Sequence, residues 1–139
     1  MVLAQYTAQH LSKTSSSMNT RTKGNLGEDL AVKFLKKQGY KIVERNYTCQ
    51  FGEIDIIAKH QNYYVFLEVK SRNSTDFGLP RYAVNVRKQQ TIITCAKWWL
   101  SRNELMGAPV RFDVVEVVGN EVNVITNAFS ANYVHLAKK

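Results

Sequence analysis

Two strands and a turn are legible in GEIDIIAKHQNYYVFLEVKSR, residues 52–72. Apolar runs rich in Ile, Val, Tyr and Phe flank the polar HQN, the pattern of a β-hairpin. Each run nevertheless carries charge: Glu53 and Asp55 in the first, Glu68 and Lys70 in the second. Side chains alternate between the two faces of a strand. Strict alternation puts Ile54 and Ile56 on one face and Glu53, Asp55 and Ile57 on the other. In the second run Glu68 and Lys70 share a face with Tyr64 and Phe66, opposite Val65, Leu67 and Val69. If Gln61-Asn62 is a two-residue turn, His60 pairs with Tyr63 and, counting back, Asp55 faces Glu68. Directly opposed side chains have Cβ atoms ~4.5–5.5 Å apart. A slip of one residue would send them to opposite faces.

Like charges facing each other destabilise a sheet. A divalent cation removes the repulsion, and hard carboxylate oxygens suit Mg²⁺ or Mn²⁺. Lys70 adds an ammonium beside the pair. Carboxylates holding a metal next to an ammonium suit phosphodiester hydrolysis: the metal lowers the pKa of a bound water, and the ammonium offsets charge in the transition state. The bland alternative is a structural salt bridge of Lys70 with Glu68 or Asp55 on a wet sheet face.

Upstream, NLGEDLAVKFLKKQGY (25–40) reads as a helix with Asn25, or a residue further upstream, as cap, Glu28 and Asp29 in its first turn, and Gly39 at its end. Leu26, Leu30, Ala31, Phe34 and Leu35 form its apolar stripe. Gly27 falls inside that stripe and allows close approach to a sheet. Asp29 points to solvent, whereas Glu28 leans toward the sheet rim and is a further candidate for the site. A strand follows at 40–47. Beyond the hairpin, RNSTDFGLPRY (72–82) is a polar loop. NVRKQQTIITCAKWWLSRN (85–103) is a second helix with Asn85 as cap and Ile92, Ile93, Ala96, Trp99 and Leu100 as its buried face. VRFDVVEVV and EVNVITNA are strands joined by a Gly119-Asn120 turn. The expected architecture is a central mixed β-sheet flanked by helices, in the order α-β-β-β-α-β-β.

The 139 residues, 45% of them apolar, suit one domain with a real core at 24–139, preceded by a basic tail at 1–23. That tail has no acidic residue and is rich in Ser and Thr. It resembles a transit peptide only faintly and reads as a floppy basic tail, or as an upstream extension before a start at Met18. The net charge of +8 points to nucleic acid as partner. No apolar run approaches the ~18 residues of a membrane span. Two cysteines, Cys49 and Cys95, form no ligand cluster and read as small apolar fillers in a reducing cytoplasm. His10, His60 and His135 are scattered and read as surface residues. Trp99 belongs to the core, while Trp98 lies off the stripe.

With these residues placed, the chain resembles the YraN family of endonuclease-like proteins. GNLGEDLAVKFLKKQGY, ERNY, GEIDIIA, FLEVKSR, FGLPRYAV, RKQQ and RFDVVEV follow one another in the family's order, from about Gly24 to Val118. Thr48 departs from the pattern, where many members carry a basic residue. The resemblance implies a restriction-endonuclease-like core and a metal-dependent nuclease cutting DNA. Branched or damaged DNA in repair or recombination is the analogy with archaeal-type Holliday-junction resolvases, as is pairing into a homodimer. It implies that Asp55, Glu68 and the Val69 carbonyl hold Mg²⁺ or Mn²⁺ with Glu28. Lys70 would be the catalytic lysine, and Lys88 and Gln89 would reach the phosphate. Glu53 would be an acidic neighbour. Arg45, Arg72, Arg81 and Arg87, in loops and element ends around the hairpin, suit phosphate contacts. No base-reading motif is present, so binding by backbone charge and shape is expected. The rival expectation is a non-catalytic nucleic-acid-binding or protein-interaction module that keeps the same residues.

Overall fold

In the computed structural model, which describes residues 20–72 and 84–131, five strands lie side by side in chain order. The elements are α1 (Thr20–Lys37), β1 (Lys41–Cys49), β2 (Gly52–His60), β3 (Tyr63–Arg72), α2 (Val86–Arg102), β4 (Val110–Val118) and β5 (Glu121–Phe129). Neighbouring strands run antiparallel except β3 and β4, which are parallel. Parallel neighbours need a crossover, and α2 lies within it. The sheet is therefore mixed, in the expected element order. Neither described helix is long and apolar enough to cross a membrane.

Each face of the sheet carries one helix. Leu30, Ala31, Phe34 and Leu35 of α1 pack on Ile56, Ala58, Val65, Leu67, Val115 and Val117. Ile92, Ile93, Cys95, Ala96, Trp99 and Leu100 of α2 pack on Ile54, Ile57, Phe66, Phe112 and Val114. With both faces covered, β4 is buried without interruption from Arg111 to Val117. Edge strand β1 is mostly exposed and charged, which discourages pairing with another sheet.

The helix ends obey local rules. Asn85 caps α2, its side chain accepting the Lys88 backbone N–H at 2.9 Å. α1 closes with a Schellman motif: Tyr40 N–H donates to the Leu35 carbonyl (2.9 Å) and Gly39 N–H to that of Lys36 (3.2 Å). Gly39 takes the left-handed conformation this demands (φ 91°). α1 begins earlier than its apolar stripe announces, at Thr20 rather than after Asn25. Glu28 and Asp29 thus sit in its third turn, and the expected tail boundary at residue 23 falls inside the helix. Residues 1–19, 73–83 and 132–139, and with them His10, Arg81 and His135, lie outside the described residues.

One further expectation changes. His60 is not a surface residue: it is half-buried, stacked on Tyr40 with ring centroids 3.9 Å apart, and its Nδ1 meets Arg111 at 2.9 Å. Burial and then the Arg111 charge hold its pKa below the usual value. The two cysteines, 46 residues apart, meet with sulfurs 3.4 Å apart.

His60 belongs to a buried network at the hairpin-turn end of the sheet. Asp113, fully buried, accepts from Tyr40 Oη (2.8 Å), from Arg111 Nε and NH2 (2.9 and 2.8 Å), and from Asn127 N–H (2.9 Å). A buried ion pair broken on one side leaves an uncompensated charge. Asp113→Asn would leave the Arg111 guanidinium facing a neutral amide. We expect it to lose ~3–5 kcal/mol in urea unfolding followed by Trp fluorescence. A loss below ~1 kcal/mol would show that the network is not electrostatically closed.

Candidate active site

The β2–β3 register is the expected one: His60 pairs with Tyr63, and the ladder runs through Ala58↔Val65 to Ile56↔Leu67. There it ends. Continued, it would bring Ile54 to Val69. Instead the Val69 N–H donates to Asp55 Oδ2 at 2.8 Å. A side chain has taken the place of a strand carbonyl, and the two strands part at Asp55. On the other side of β2, Asn46 stands opposite Asp55, between the pairs Arg45↔Ile56 and Tyr47↔Ile54. Asn46 is left-handed (φ 54°), a conformation that Asn tolerates better than most residues. Strict alternation fails here. Ile54 packs with Ile57 against α2, while Ile56 packs against α1. The expected sharing of one face by Ile54 and Ile56 is corrected accordingly.

Glu68 follows the last ladder pair on β3 and adjoins Asp55. It is only 8% exposed. Burial first, then the charge and hydrogen bond of Asp55, push its pKa up to about 8, against the pull of Lys88 and Lys70. Two carboxyl groups in such contact hold a proton between them unless a cation replaces it. Lys88, in the first turn of α2, sets its Nζ 3.7 Å from Glu68 Oε2. The Asn85 cap that fixes this turn therefore also aims the lysine. Lys70 is half-buried two residues beyond Glu68, paired in register with Glu116 of β4.

Other expected residues have partners of their own. The Glu28 side chain is 8% exposed, and its Oε1 accepts from Arg45 Nε (2.9 Å) and Asn46 Nδ2 (3.0 Å). Arg45 also bridges to Asp29 at 2.6 Å. Glu28 thus adjoins Asp55 through Asn46, and Arg45 is engaged internally. Among the described residues no three His, Cys, Asp or Glu side chains gather as a metal cage. Glu28 therefore does not stand as a third acid with Asp55 and Glu68 in this arrangement. Gln89 donates to the Val84 carbonyl (2.9 Å). Arg87 and Glu53 are exposed.

Glu116 was missed by sequence reasoning. It is buried and lies on the α2 side of β4, between Val115 and Val117 of the α1 side. Arg72 Nε approaches its Oε2 to 3.1 Å, off-axis for a hydrogen bond, so that oxygen has no hydrogen-bond partner. Arg72 is thus committed to an internal carboxylate. The available signal was RFDVVEV itself: an acid inside an otherwise apolar central strand.

The donor set fits a hard divalent cation, because Asp55 and Glu68 present paired carboxyl oxygens whose contact demands a neutralising charge. Without metal the pair has a sign-definite pH signature. Between about pH 4.5 and 8 the folded protein keeps a proton on Glu68 that the unfolded chain has released. Stability therefore falls as pH rises through that window. In EDTA, the melting temperature of the wild type should drop from pH 5 to pH 8, and Glu68→Gln should flatten the decline. An identical slope in both proteins would rule out the shared proton.

Comparison with known proteins gives the chain's kinship. The model of the family described as "Uncharacterised protein family UPF0102" matches residues 27–117. This span contains Glu28, Asp55, Glu68, Lys70, Lys88 and Glu116. A UPF0102 protein of Caldicellulosiruptor saccharolyticus is 47% identical over 118 residues, covering 81% of this chain and 100% of the relative. One from Clostridioides difficile is 45% identical over 114 residues, covering 81% and 100%. One from Desulfosudis oleivorans is 49% identical over 111 residues, covering 78% and 90%. With a family model running from α1 into β4 and relatives matched along nearly their whole length, this chain belongs to the UPF0102 family.

Proposed function

We propose that the protein is a Mg²⁺- or Mn²⁺-dependent nuclease of restriction-endonuclease-like type that hydrolyses phosphodiester bonds in DNA. The observation that carries this reading is the pairing of half-buried Asp55 with buried Glu68 at the parting of β2 and β3, flanked by Lys70 and Lys88. Asp55, Glu68 and the Val69 carbonyl would hold the cation. The cation supplies charge neutralisation and a bound water of lowered pKa.

The chain's own residues do the rest. The Val69 N–H fixes the Asp55 carboxylate in one orientation. Glu68 gives up its proton when the site is loaded. Lys70 holds the attacking water and offsets charge developing on the phosphate. Lys88, held near Glu68 by an ion-pair contact only, is free to turn to a phosphate oxygen. Glu28, with Arg45 and Asn46, buttresses the Asp55 side of the site. Exposed Arg87 offers a phosphate contact at the α2 N-terminus, where the helix dipole also favours an anion. The net charge of +8 supports an overall attraction to a polyanion.

A binding module without catalysis is the second reading. It is favoured by one observation, the absence of a third acidic ligand among the described residues. Thermal melts and cleavage assays separate the two. Mn²⁺ should raise the wild-type melting temperature over that in EDTA and leave Asp55→Asn unchanged. With Mn²⁺ or Mg²⁺, wild type should cut linear or branched DNA, and Lys70→Ala should lose at least ~100-fold in rate while keeping the metal-dependent stabilisation. Stabilisation without cleavage of any DNA tested would favour the binding module. No metal response at all would leave only a structural pair.

A further inference from the structure

The two cysteines of this chain stand apart from the proposed chemistry, and they stand together. Cys49 ends β1 and Cys95 lies in the middle of α2. The Cys49 thiol donates to the Cys95 sulfur across 3.4 Å. Cys49 is half-buried, so an oxidant reaches it, whereas Cys95 is fully buried behind it. Apolar filling alone does not require two thiols, 46 residues apart, to point at each other.

The backbone around them permits a closer approach. Gly52, in register with Cys49 across the β1–β2 turn, faces α2. A Cβ there would come within 2.6 Å of Thr91 Cγ2 and 3.6 Å of the Cys95 sulfur. The turn and the helix touch because that position is glycine. A disulfide needs the sulfurs at ~2.05 Å, so the two elements must close by little more than an ångström.

We propose that Cys49 and Cys95 are an oxidation site, a dithiol that hydroperoxides convert reversibly to an intramolecular disulfide clipping the β1–β2 turn to α2. The chemistry balances in two steps. The Cys49 sulfur attacks the hydroperoxide: its O–O bond breaks, an alcohol or water leaves, and Cys49 becomes a sulfenic acid. The Cys95 sulfur then attacks the Cys49 sulfur. The S–S bond forms, the S–O bond breaks, and the hydroxyl leaves as water with the Cys95 proton. A reducing thiol reverses the second state by exchange. Burial raises the pKa of Cys95, with Cys49 next as cause. Its thiolate is therefore scarce, so the second step is slow and its proximity to Cys49 is what makes it proceed. The clip grips α2 two turns after Lys88, on the helix whose first turn faces Glu68. It does not depend on the protein being a nuclease.

The test uses the full chain and hydrogen peroxide, read by intact mass and peptide mapping without reductant. The expected result is a monomer lighter by two hydrogens, with a crosslinked Cys49–Cys95 peptide and both free thiols lost. Dithiothreitol should restore both. The clipped form should melt roughly 5–15 °C higher than the reduced form, from the constraint placed on the unfolded chain. Cys49→Ser and Cys95→Ser should each abolish the crosslink. A Cys49 sulfinic acid with Cys95 still free, a disulfide-linked dimer, or two thiols unchanged by peroxide would each overturn the proposal. These readouts come from the wild type alone, so they stand even if a variant does not fold.

Discussion

The Val69 amide donates its hydrogen to the carboxylate of Asp55 rather than to a backbone carbonyl of β2. That one exchange ends the β2–β3 ladder while both strands continue. It orients Asp55, leaves Glu68 as the next side chain on the neighbouring strand, and brings two acids into contact inside a buried sheet. A central sheet ordinarily excludes unpaired charge. Here the surroundings supply the compensation in parts: a shared proton on Glu68, the ammonium of Lys88, the half-buried Lys70. Each is exchangeable, which distinguishes this corner from an ordinary salt bridge.

The opposite face of the same sheet, one register step away, shows the contrast. Asp113 also lies on a central strand and is also buried, yet every contact it makes is a donor locked in place: Tyr40, Arg111 and the Asn127 amide. Nothing there calls for a mobile counter-charge. One sheet thus carries a closed network around Asp113 on its α1 face and a proton-sharing acid pair at Glu68 toward α2. The first ties the α1–β1 connection, β2, β4 and β5 together. The second is the part that, on the proposed reading, a cation and a phosphate would enter.

Much of this was legible in the sequence wherever period and local chemistry agree. β4 runs over the nine residues its apolar run marks, α2 starts at the Asn85 cap, and the hairpin register follows from a two-residue turn. Lys88 could be tied to the site only through a resemblance, because its approach to Glu68 depends on how α2 lies across the sheet. The missed features share one cause, partners distant in the chain or a break in period. His60 found Tyr40 and Arg111, Cys49 found Cys95, and Glu116 found Arg72. Alternation also breaks within β2 between Ile54 and Ile56, opposite the left-handed Asn46, which no alternation rule foretells. The early start of α1 escaped because Thr20–Lys23 carries no apolar stripe.

The central claim is that a divalent cation replaces the proton held between Asp55 and Glu68. Proton release on Mn²⁺ binding, measured in weak buffer near neutral pH, tests it directly. About one proton should leave per ion bound to the wild type, and Glu68→Gln should release none. Tight binding of Mn²⁺ without proton release, or no binding at all, would contradict it.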